Sequence, residues 1–114
     1  MTDVPPSADT AYPDAPNTQE ETEEIMRLRR AGRISDRDWL LRRAALTDRQ
    51  TLGADPADGK VQTSVQETFD KLLAFDAANG TTIGPLAIDH PAWKADPRGY
   101  VRQEYAIWAG NARS

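Results

Sequence analysis

The sequence predicts a mainly α-helical fold: one small domain of three to four helices behind an extended, proline-rich N-terminal arm, with room for one short strand near residues 81–88. Three observations carry that expectation. Capping residues stand three positions ahead of a carboxylate at Asn17/Glu20, Thr18/Glu21 and Ser35/Asp38. Apolar residues recur at helical spacing, as in Val101, Tyr105 and Trp108. Glycine follows two of the periodic segments, at Gly32 and Gly80, where a helix stop belongs. At 114 residues the chain holds one domain and no more. Once the arm is subtracted, a core of that size often needs a partner to be secure.

Residues 1–17 form the arm. It carries Pro5, Pro6, Pro13 and Pro16, and offers only Val4 and Tyr12 to bury. So little apolar area does not offset the entropy of ordering, so contact with another chain is expected to fix it, with Tyr12 as a contact residue. The rest, 18–114, is expected as one domain. Residues 18–52 read as a helical hairpin. Its first helix starts at Asn17 or Thr18, places Arg27, Arg29 and Arg30 in the last turn, and stops at Gly32. Ser35 caps the second, and Ile34 is placed to staple onto Trp39. Thr47 and Gln50 offer a further capping box, where this helix either restarts or continues.

The second helix is apolar almost all round. Trp39 and Leu46 share one face, while Leu40, Leu41, Ala44 and Ala45 lie along others. A helix apolar on several sides is buried on several sides. The expected division puts Trp39 inward and leaves Leu40, Leu41, Ala44 and Ala45 to meet a partner or a second copy.

After the turn-rich stretch 54–60, a third helix is expected over 61–79, capped by Thr63 or Ser64, with Val65, Phe69, Leu72 and Leu73 on one face. Residues 80–96 read as irregular. A last helix over 97–109 has Asp96 as its cap, Pro97 at its first position and Gly110 as its stop. Four of the eight aromatic residues lie between Trp93 and Trp108, which marks the C-terminal third as densely packed.

Charge is segregated. Residues 1–24 carry seven acidic groups and no basic one, whereas residues 25–50 carry eight arginines against three aspartates. Such asymmetry marks an interaction surface, with Arg29, Arg30 and Arg33 as contact residues. Nearby carboxylates offer local partners at i,i+4: Glu23 for Arg27, Asp38 for Arg42 and Glu67 for Lys71. The formal net charge of −4 weighs against a nucleic-acid binder, which usually presents a basic face.

The stretch Glu24 to Leu46 resembles the short C-terminal (SHOCT) type of αα-hairpin. Leu28, Gly32, Ile34, Ser35, Asp38, Trp39, Arg42, Arg43 and Leu46 carry the likeness. Similar hairpins recur in actinobacterial membrane-associated domains and small phage proteins. The resemblance implies a helical association element rather than an activity.

Catalytic chemistry finds little to stand on. There is no cysteine, hence no thiol nucleophile and no Cys-based metal site. The single histidine, His90, precedes Pro91 and reads as a cap or turn residue rather than a base. No metal-ligand spacing and no phosphate-cradling glycine loop occurs. No cofactor, metal or small-molecule ligand is expected. No run approaches the length of a membrane span, and no leader opens the chain, so a cytoplasmic location or a virion is expected. Eleven arginines against three lysines fit a high-GC actinobacterial or phage origin. The expected function is a non-enzymatic assembly subunit, a virion component (capsid, connector or tail) included. The alternative is a small nucleic-acid-binding regulator that uses the arginine-rich hairpin.

Overall fold

The computed structural model describes residues 11–12, 15, 17–52, 54–55 and 57–112. Within them lie five helices and no strand: α1 (Thr18–Arg30), α2 (Asp36–Gln50), α3 (Gly59–Asn79), α4 (Ala92–Ala95) and α5 (Pro97–Ala112). The arm's residues 1–10, 13, 14 and 16 lie outside the described set.

Local chemistry sets most helix ends. The Asn17 side chain accepts from the Glu20 N–H at 2.8 Å, so Asn17 rather than Thr18 caps α1. At the other end Gly32 adopts φ +66°, the Arg33 N–H reaches the Leu28 carbonyl, and the Gly32 N–H reaches that of Arg29. This paired closure turns the chain into α2 at once. Ser35 accepts from the Asp38 N–H at 3.1 Å. α2 does not restart at Thr47, whose hydroxyl instead bonds back to the Arg43 carbonyl within a continuous helix. α3 starts two residues earlier than the spacing predicts. Its cap is Asp58, which accepts from the Lys60 N–H, while the Thr63 hydroxyl bonds back to the Gly59 carbonyl. Asp96 accepts from the Gly99 N–H ahead of Pro97, as expected, but α5 runs through Gly110 to Ala112.

Residues 81–90 hold no strand, and the reason is visible in their hydrogen bonds. The Ile83 and Gly84 N–H groups both donate to the Glu104 carboxylate at 2.7 Å, and the Leu86 backbone exchanges two bonds with the Gln103 side chain. Side chains of α5 take the place of a neighbouring strand. Gly84 is required here, since a Cβ at that position would sit 2.2 Å from the Gln103 side chain.

The hub is α2, which packs on α1, α3 and α5. Leu41, Ala44 and Ala45 meet Phe69, Leu72, Leu86, Trp93, Tyr100, Val101 and Tyr105 in the core. The two alanines allow neighbouring helices to approach closely.

This packing corrects the expected division of α2. Leu41, Ala44 and Ala45 are fully buried within their own chain, and Leu40 packs against the same core, so they are not an exposed contact face. Trp39 is only half-buried. The Arg29 and Arg43 guanidiniums both lie over its ring, 5.2 and 5.3 Å from the centroid. The inward stripe is Arg37, Leu41, Ala44, Ala45 and Asp48, one helical face with a charge at each end.

Candidate interaction surface

Four carboxylates lie almost wholly out of solvent: Glu21, Asp48, Asp76 and Glu104. An unpaired buried carboxylate is costly, and each of these is held by arginine. Arg37 grips Asp76 through two bonds (2.9 and 3.0 Å) and Glu104 through a third at 2.6 Å, tying α2 to α3 and α5. Asp48 receives Arg98 at 2.6 Å and both Nε and a terminal nitrogen of Arg102 at 2.8 and 3.0 Å. Glu21 receives Arg49 at 2.9 Å and lies 3.6 Å from Arg42, which also reaches Glu24.

Each of the chain's three tyrosines donates its hydroxyl to one of these carboxylates. Tyr12 bonds Asp48 at 2.7 Å, Tyr105 bonds Glu21 at 2.7 Å, and Tyr100 bonds Asp76. Tyr12, expected to be held by another chain, therefore docks on its own. Its ring stands edge-on to Tyr105 at 5.1 Å, with Arg49 above it.

Burial alone would push the Asp76 carboxyl up. Hydrogen bonds from Arg37, Thr81 and Tyr100 outweigh it and hold the group below the ordinary carboxylate range. Burial, reinforced by the accepting carboxylates, pushes all three phenols well above their usual value.

A phenol with a raised folded-state pKa stabilises the fold below its unfolded value, near pH 10, and loses that contribution as pH climbs toward the folded value. Phenolate absorbance at 295 nm is therefore expected to stay low past pH 10.5, then rise in one cooperative step together with loss of the helical circular dichroism. Independent titration of any tyrosine near pH 10, with the helices intact, would contradict this.

These networks account for Arg37, Arg42 and Arg49 of the arginine-rich segment. The others face outward. Arg29 pairs with exposed Asp36 at 3.0 Å and lies over Trp39, as does Arg43. Arg27, Arg30 and Arg33 are exposed, and their side chains make no ion pair among the described residues. Nor do Glu20 and Glu23. The local pairs expected from spacing, Glu23–Arg27, Asp38–Arg42 and Glu67–Lys71, do not form. Arg42 turns instead to the α1 carboxylates and stacks over Trp108.

Other surfaces are thinner in chemistry. His90 Nδ1 accepts from the Ala92 N–H at 3.1 Å, which makes it the cap-like residue its sequence suggests. A shallow groove between α3 and the start of α5 is lined by Val65, Phe69, Asp70, Pro97 and Arg98 among others. Among the described residues no cluster of histidine and carboxylates is placed to hold a metal ion, and no helix is long and apolar enough to cross a membrane. The chain matches no family model, no curated protein and no solved structure.

Proposed function

We propose that this protein is a non-enzymatic protein–protein interaction subunit whose contact element is the outer face of the α1–α2 hairpin. One observation carries the reading: interior charges are paired with one another, whereas Glu20, Glu23, Arg27, Arg30 and Arg33 are exposed and make no ion pair among the described residues. The SHOCT-like pattern of residues 24–46 supports an association role, and it falls on the segment that carries this face. Arginine preferred over lysine, and the proline-rich arm, fit a virion component of a high-GC phage as the specific setting.

The nucleic-acid alternative loses three of its eight arginines to the interior, and Arg29 to a pair with Asp36. Glu20 and Glu23 on the same outer face would repel a polyanion. Fluorescence anisotropy with a random-sequence DNA duplex decides between the two. No binding is expected at micromolar protein in 50 mM salt. Micromolar binding with a steep salt slope, abolished by Arg29, Arg30 and Arg33→Gln together, would overturn the proposal in favour of the regulator.

A further inference from the structure

The exposed face of α1 is self-complementary. Gln19, Glu20, Glu23, Met26, Arg27 and Arg30 follow one another along a single outward stripe, all exposed. The stripe is acidic in its first half and basic in its second, and Arg33 extends the basic half past the turn. At its centre stands Met26, a large apolar side chain left 43% exposed.

We infer that α1 is an isologous contact through which two copies of this chain pair, their α1 helices antiparallel about a two-fold axis beside Met26. This rests on the interaction reading above and names a second copy as the partner. Antiparallel register sets residues whose numbers sum to 53 opposite each other. Within the helix Glu23 then faces Arg30 of the other copy and Met26 lies over the aliphatic stem of Arg27, while Glu20 lies toward the turn beyond α1 that carries the other copy's Arg33. A two-fold repeats each pair, so four opposite-charge contacts surround a small apolar centre.

The charge order is what selects this occupant. A parallel pairing would set glutamate against glutamate and arginine against arginine. A uniformly acidic partner would meet Glu20 and Glu23, and a nucleic acid would meet them too. A thirteen-residue helix is about 20 Å long. One helix pair of that length falls short of the roughly 1,200 Å² typical of stable interfaces. The dimer is therefore weak, favoured by concentration and loosened by salt, since its charged pairs are exposed.

Sedimentation velocity on the full chain tests it through complementary charge reversal. Glu20→Lys with Glu23→Lys makes one variant, and Arg30→Glu with Arg33→Glu the other, each confirmed as folded by circular dichroism. Each alone is expected to sediment as a monomer at a concentration where the wild type in 20 mM salt is dimeric. Mixed one to one, they restore all four contacts, and dimer is expected to return. A wild type that stays monomeric in low salt, or a mixture that stays monomeric, would overturn the inference. Neither result touches the DNA comparison, so the two claims fail separately.

Cross-linking gives a second readout that does not depend on the reversals. The chain has no cysteine, so Met26→Cys introduces a single thiol beside the proposed axis. Mild oxidation is expected to yield covalent dimer at least tenfold faster than for Leu52→Cys, a similarly exposed site elsewhere. Equal rates would contradict the register.

Discussion

Arg37→Ala is expected to lower stability by about 3–5 kcal/mol at neutral pH, because among the described residues it strips the only guanidinium that reaches two buried carboxylates. A domain of this size has on the order of 5–15 kcal/mol in total, so the variant stands close to unfolding at room temperature. The loss carries a pH signature. In the wild type, Asp76 has a lowered folded-state pKa. Its contribution is therefore present above the unfolded value, near pH 4, and is lost as pH falls through the folded one. Without Arg37, only the Thr81 and Tyr100 hydrogen bonds oppose burial, so the folded-state pKa rises and protonation relieves part of the loss. The stability difference between variant and wild type, read from urea denaturation, should shrink steadily from pH 7 to pH 4. A difference that stays constant over that range would mean that Arg37 acts through packing rather than charge.

Leu41→Asp is expected to abolish cooperative folding. The side chain is wholly enclosed among Phe69, Leu72, Tyr100 and their neighbours, and no arginine of the networks is directed at it. Truncating a core leucine costs about 2–5 kcal/mol, and placing an unpaired carboxylate there adds a desolvation penalty of similar size. Trp39→Ala should cost only about 1–2 kcal/mol, since it removes a half-buried ring and two surface cation–π contacts. Thermal melts of the two variants settle the orientation of α2. If Trp39→Ala proved the more damaging, the inward face would be the one that the Ile34–Trp39 staple suggests.

Those two substitutions also show where the sequence was legible. Caps and stops depend on residues within four positions of one another, so Ser35, Gly32 and Asp96 were readable as they stand, and the first cap was narrowed to Asn17 or Thr18. The orientation of α2 was not, because leucine, alanine and tryptophan surround the helix and periodicity does not choose among them. Charge carried a usable clue: Arg37 and Asp48 lie on the same stripe as Leu41, Ala44 and Ala45, which marks that stripe as paired from outside the helix. Their partners were out of reach of local reasoning. Arg37 meets Asp76 across 39 positions, Asp48 meets Arg102 across 54, and Glu21 meets Tyr105 across 84. Pairing at i,i+4 assigned Arg42 to Asp38, whereas the fold sends it to Glu21 and Glu24. The proposed interaction surface was half legible. Arg29, Arg30 and Arg33 are exposed, but Glu20 was read only as a capping residue and Glu23 only as a local partner for Arg27, not as parts of a contact face.

We propose that one arginine-rich segment serves two separate ends: Arg37, Arg42 and Arg49 join helices inside, while Arg27, Arg30 and Arg33, exposed and without an ion pair among the described residues, serve contact outside. Urea denaturation of the Arg27, Arg30 and Arg33→Gln triple variant, at a protein concentration low enough to exclude association, tests this most directly. Its stability should stay within about 0.5 kcal/mol of wild type, as for other surface substitutions. A loss as large as that of Arg37→Ala would show that these arginines also hold the fold together, and would contradict the division.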